Sequence, residues 1–310
     1  MAGRAAFRIL LGPVVFLAGC DIDDLHDGTR HTEDFRHTYV MKPGGRLSVE
    51  NFNGSIEVFG WDKDEVEING TKYASTKELL NSIKVEITNS ADSVQVRTVR
   101  PETRRGNHGA RYRIHVPRRT QLERVTSTNG PVRVEQVEGT GRLRSSNGGI
   151  RLSNYTGDVD VTTSNGPVEL SQFAGGAVIS TSNGSVTATG VRGHLEATTS
   201  NGPIRAEVVK PQSSRPVRLR TSNGPIQATF DDGTSDLIAS TSNGPITVKL
   251  GAGTSAKVRA HTSHSSITTD FPLNNVISVS KTRVEGTIGN GGPLLDLSTS
   301  NGPIRISKLP

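Results

Sequence analysis

The chain has 310 residues, with 36 Lys and Arg against 30 Asp and Glu, a formal charge of +6, and only 4% aromatics. A single cysteine excludes a disulfide framework. No apolar run beyond the first twenty residues reaches the roughly 18 that a membrane-spanning helix needs. The short supply of aromatics suits a thin core of Val, Ile, Leu and Ala.

The N-terminal segment reads as an export signal. Arg4 and Arg8 precede the short apolar stretch from Ile9 to Leu17, and Leu17-Ala18-Gly19-Cys20 matches a lipobox. Residues 1–19 are therefore expected to be cleaved and Cys20 to become a diacylglyceryl-modified N-terminus, anchoring an extracytoplasmic protein to a bacterial membrane. The alternative is a cleaved secretory signal with an incidental cysteine. Losing Arg4 and Arg8 lowers the formal charge from +6 to +4. Residues 20–40 are polar and acidic, which predicts a tether. Asp21 beside Cys20 resembles the inner-membrane retention signal of enteric bacteria. His26, His31 and His37 lie there among Asp and Glu, but their spacing fits no closed metal-ligand set. No metal or cofactor is expected.

Residues 41–125 read as the irregular first coils of a β-sheet system. Leu47, Val49, Ile56, Val58, Val66 and Ile68 alternate as strands, and Ser75 to Ser82 suggests one inserted helical turn. Between Arg97 and Arg124 stand nine arginines against Glu102 and Glu123, a local excess of seven. Arg104 and Arg105 suggest an exposed loop, while Arg111 and Arg113 alternate along a strand. These four are the candidate site for an anionic envelope component or an acidic protein face. The rival reading is a solvated basic face. The export signal and the lack of stacking aromatics here argue against nucleic acid.

From residue 126 to 310 the chain is a repeat. Ser/Thr-Asn-Gly recurs with asparagines at 129, 147, 165, 183, 201, 223, 243 and 301. The first four steps are 18 residues, then 22 and 20, and the final gap of 58 has room for about two further coils around a degraded turn at His264. Within one unit, Ile150, Leu152, Tyr155, Val159 and Val161 are apolar with Gly157 between, giving turn, strand, bend, strand. Asn-Gly between alternating strands is also a hairpin signal, which would give an antiparallel meander. Proline two residues after Asn in six of the eight copies opposes that, because it would delete ladder bonds from strand after strand. The period predicts an all-β fold: a single-stranded parallel β-helix or closely related β-solenoid with 18–22-residue coils. Thr163, Thr181 and Thr199 share parity with inward positions, so a flat ice-binding threonine face is not expected.

From about residue 40 onward the chain resembles the bacterial putative-adhesin family, β-strand-repeat envelope proteins of unknown function. The matching elements are Leu47 to Ile56, Gly60-Trp61-Asp62, Tyr112 to Thr120 and the Asn-Gly-Pro-Ile coils. The resemblance implies a β-solenoid-like fold at the cell envelope and brings no catalytic or ligand residues. The expected role is a non-catalytic, lipid-anchored surface for binding or adhesion. The alternative is a carbohydrate-active enzyme using Asp231, Asp232 and Asp236, which surround a mid-coil bend where turn-forming Asp is expected anyway.

Overall fold

A computed structural model describes residues 31–102, 106–212, 215–231 and 235–309. The signal segment and Cys20 lie outside these described residues. Among them the fold is all-β, with 25 strands in one open sheet and a single short helix. The helix, Lys77–Ser82, is the inserted turn expected there. Thr76 caps it by accepting the Leu79 N–H.

Neighbouring coils pair in parallel, which decides for the solenoid over the meander. Ile150 lies in register with Val168, and Val159 with Ala177, each one period on. The 18-residue coils fold over at the Asn-Gly turn and again near a mid-coil glycine (Gly139, Gly157, Gly175 and Gly193), so the sheet forms two walls around one core. We term them the Pro side, whose strands follow the Asn-Gly-Pro turns, and the Thr side, whose strands end in the Thr or Ser before them. Val168, Val186, Ile204, Ile226 and Ile246 form one inward column, all buried. Prolines sit at the corner without breaking the ladder. The Pro167 carbonyl accepts the Ile150 N–H at 2.9 Å, and that of Pro203 accepts Val186 at 3.0 Å.

The turn triplet is explained by stacking. Each asparagine donates from Nδ2 to the Oδ1 of the asparagine one coil before, seven bonds of 2.7–2.9 Å running from Asn129 to Asn301. The Thr or Ser two residues earlier is buried and donates its hydroxyl to the glycine carbonyl one coil before, as Thr163 does to Gly148 at 2.9 Å. This places Thr163, Thr181 and Thr199 inside, as their parity predicted. The turn glycines are required by close approach. A Cβ on Gly184 would lie 1.9 Å from the Gly166 oxygen, and the same holds along the column.

Both ends of the stack depart from chain order. The coil of Gly45–Asn53 and Ile56–Trp61 comes first in sequence among the parallel coils. It nevertheless lies between the coil of Ser93–Val99 and His108–Pro117 and that of Thr120–Asn129 and Val132–Glu135. Asn53-Gly54 thereby supplies one more turn beneath Asn129. At the other end, the coil of Leu294–Thr299 and Ile304–Lys308 is inserted between that of Leu237–Thr241 and Ile246–Leu250 and that of Ala256–Thr262 and Ile267–Thr269. The 58-residue gap therefore holds one parallel coil, displaced outward, and an antiparallel pair, Leu273–Val279 with Arg283–Ile288. The expectation of about two further coils is corrected accordingly.

The tether expected over residues 20–40 also needs correction. His31–Val40 is a strand, paired antiparallel with Glu65–Ala74 along its whole length. Its acids are engaged: Glu33 meets Lys72 at 2.8 Å, and Asp34 accepts the Thr71 hydroxyl at 2.7 Å. Phe35 packs over Gly70, where a Cβ would fall 2.1 Å from the ring, and meets Tyr112 edge-on. His37 is stacked with Tyr39 rather than gathered with ligands. Among the described residues no three His, Cys, Asp or Glu side chains are grouped to hold a metal ion.

Candidate functional site

Among the described residues the arginine-rich segment does not form one patch. Arg104 and Arg105 lie outside the described residues. Arg111 and Arg113 are exposed on His108–Pro117, in the Pro-side wall. Both are occupied: Arg111 lies 5.0 Å over the Tyr73 ring, and Arg113 Nε donates to Glu57 at 3.1 Å. Arg118 pairs with Asp62 at 2.6 Å, and its hydrogen bond and charge hold that carboxyl below the usual range.

Three of the other arginines converge on the Thr-side wall. Arg97, Arg100 and Arg124 line an open groove of about 670 Å³ with Arg142 and Arg144, near the end of the stack. Glu50 and Glu123 are its acids, so the formal balance of these seven side chains is +3 (five arginines against two glutamates). Glu50 is half-buried and holds Arg124 at 2.7 Å and Arg97 at 4.0 Å. Arg100 lies 5.3 Å over the Phe52 ring, which also packs on His108. Arg142 and Arg144 are exposed and make no ion pair among the described residues. Partnered arginines shape the groove, and these two offer free guanidinium forks.

Arg142 and Arg144 were missed because they follow the arginine-rich stretch in sequence. One signal was available. Arg142 lies 18 residues after Arg124, one period of the repeat, and so returns to the same wall one coil on. The register confirms the adjacency, with Leu143 opposite Val125 and Arg144 opposite Thr126.

The acids of the enzyme alternative are only partly described. Asp232 lies outside the described residues and Asp231 is exposed. Asp236 serves the backbone: its Oδ1 accepts the Leu294 N–H at 2.8 Å, tying the inserted coil to its neighbour. Farther along the Thr-side wall, His194 is buried near Arg215. Burial first, and then the Arg215 charge, push its pKa down, favouring the neutral ring.

The family model described as Toastrack DUF4097 matches residues 168–307. Over this stretch, a little under half of the chain, the protein is similar to the Toastrack family. The putative-adhesin resemblance read from the sequence is thus borne out by a match over these coils. Two solved structures are similar to the chain. One, a putative adhesin from Bacteroides fragilis NCTC 9343, is 13% identical, with a TM-score of 0.40 over 89% of this chain and 97% of its own. The other, a putative cell adhesion protein from Clostridium sporogenes ATCC 15579, is 10% identical, with a TM-score of 0.23 over 89% of this chain and 100% of its own. No curated protein matches the chain.

Proposed function

We propose that this protein is a non-catalytic β-solenoid of the bacterial cell envelope, lipid-anchored through Cys20, that presents its Thr-side wall to an anionic envelope partner. The observation that carries the reading is the groove of Arg97, Arg100, Arg124, Arg142 and Arg144, with the last two unpaired. Guanidinium groups offer paired, planar donors to carboxylate or phosphate, and an open groove on a rigid sheet holds them at fixed spacing. The Leu-Ala-Gly-Cys motif supports the anchor and the extracytoplasmic location. The backbone role of Asp236 supports a surface for binding over one for catalysis.

Retention of the full chain on immobilised anionic envelope glycan tests the reading. It is expected to fall as salt rises, since exposed charges are screened over about 8 Å at physiological ionic strength. Changing Arg100, Arg142 and Arg144 together to Gln is expected to abolish it at low salt. Retention indifferent to both salt and these substitutions would refute a charge-reading groove.

A further inference from the structure

Outward side chains on the Thr side form two rows along the stack, and the rows differ in charge. One row mixes signs: Arg142 is in register with Asp160, Glu196 with Arg218, and Arg259 with Asp296. The other runs from Arg144 through Thr162, Ser180 and Thr198 to Arg220. It continues through Ser240 and Ser298 to His261. These eight consecutive rungs carry two arginines, five hydroxyls, one histidine and no carboxylate.

All eight side chains are exposed or half-exposed. Arg144 and Arg220 make no ion pair among the described residues. Of the five hydroxyls, Thr162 alone has a side-chain hydrogen bond among the described residues, a long one of 3.4 Å to Asp160. The two arginines also belong to the same local pattern, Arg142-Leu143-Arg144-Ser145 and Arg218-Leu219-Arg220-Thr221. Rungs of a parallel sheet are spaced by about 4.8 Å, so seven steps span about 34 Å. Arg144 lines the basic groove, and before it the row passes from Arg97 through Glu50 and Thr126, so the acid-free stretch begins inside the groove.

A small anion would engage one or two rungs and leave the rest unexplained. A bilayer surface is a plane and gains nothing from one acid-free line beside a row bearing Asp160 and Glu196. A linear chain bearing both carboxylates and hydroxyls matches the line. We infer that this row is a track for an extended acidic polysaccharide laid along the solenoid axis. Sugar carboxylates meet Arg144 and Arg220, and sugar hydroxyls meet the Ser and Thr rungs between. In the neighbouring row Arg142, Arg218 and Arg259 are offset by Asp160, Glu196 and Asp296, so that row offers a polyanion no net charge and does not draw it off the line. The inference rests on the binding role proposed for the groove and adds its ligand class and direction.

The test is binding of oligogalacturonates to the full chain at low salt, measured by calorimetry, with one oligomer covering about two rungs and one covering all eight. Affinity is expected to rise at least about tenfold with length as further rungs engage. Ser180→Glu places an acid on the track two rungs from Arg144 and is expected to remove that gain while sparing the short oligomer. Thr198→Glu is a second variant with the same expectation, should the first disturb folding. Arg205→Glu with Lys249→Glu, on the Pro-side wall, is expected to leave both affinities unchanged. Equal affinity for both lengths would overturn the track and leave the groove standing. Binding to anionic phosphatidylglycerol vesicles but to neither oligomer would assign the surface to lipid and overturn the polysaccharide. Failure to bind any of these probes would remove the groove reading as well.

Discussion

Leu297→Ala tests the inserted coil near the C-terminal end of the stack. Leu297 is fully buried and lies in register with Ala239 on one side and Ala260 on the other. Large-to-small changes of this kind cost about 2–5 kcal/mol, depending on how far the surroundings collapse. Two flanking alanines have no side chain to swing into the space, which puts the cost near the upper end, about 4 kcal/mol. Stability in a stacked array is the sum of coil and neighbour terms, so the loss falls on the interfaces that Leu297 touches. Hydrogen exchange read by peptide reports those interfaces separately. Because each 1.4 kcal/mol is a factor of ten, exchange should accelerate by up to about a thousandfold. The amides affected are those of Leu237–Thr241 and Ala256–Thr262 that bond to the inserted strand. Acceleration in both is the expected result, because that strand is hydrogen-bonded to both. If Leu237–Thr241 kept its protection while Ala256–Thr262 lost it, the coils would stack in chain order and the insertion would be wrong.

Two further outcomes are expected. Val168→Asp puts a charge into the fully buried column and should cost at least about 3–5 kcal/mol in denaturant unfolding, whereas Ser180→Lys, outward on the same strand, should fall within about 0.5 kcal/mol of wild type. Glu169→Lys is expected between them, at up to about 1 kcal/mol, since it breaks the exposed pair with Arg151; equal losses at Val168 and Ser180 would refute the alternation. Cys20→Ala should release the protein from sedimenting membranes and leave the signal uncleaved at that site, and normal maturation with continued sedimentation would remove the lipid anchor.

The central coils were legible because their information is local and repeated. Ile150, Leu152, Val159 and Val161 alternate, recur after 18 residues, and are punctuated by glycines whose need is steric, so period and parity alone locate the core. The ends were not legible in this way. Asn53-Gly54-Ser55-Ile56 is visibly a turn of the same type, but its partner at Asn129 lies 76 residues on, across a helix and five strands. Nothing within one period signals that pairing. The strand His31–Val40 was hidden by its charges, although Phe35, His37 and Tyr39 alternate as a strand should. The groove was half legible: the arginine excess was plain, but its sorting between two walls depends on which strand pairs with which. Arg113 and Arg124 stand eleven residues apart and face opposite sides of the molecule.

Inserting the first and last parallel coils has a physical logic beyond topology. A solenoid leaves an open ladder at each end, and an open ladder frays and invites pairing with other chains. Here the coils that come first and last in sequence are each held by two neighbours. The coils left outermost are internal to the chain and are backed by antiparallel strands, His31–Val40 and Glu65–Ala74 at one end and Leu273–Val279 with Arg283–Ile288 at the other. Freeing the strand Leu294–Thr299 therefore means breaking two ladders at once, with Leu237–Thr241 and with Ala256–Thr262. The same arrangement bears on the surface. Thr162, Ser180, Thr198 and Arg220 sit on central coils, whereas Arg144 adjoins the groove near one end and His261, the last rung, lies on the outermost coil at the other. A long ligand laid over all eight rungs ends on a coil that is itself paired on both sides, and so binds at a smaller cost in lost motion than on a frayed edge.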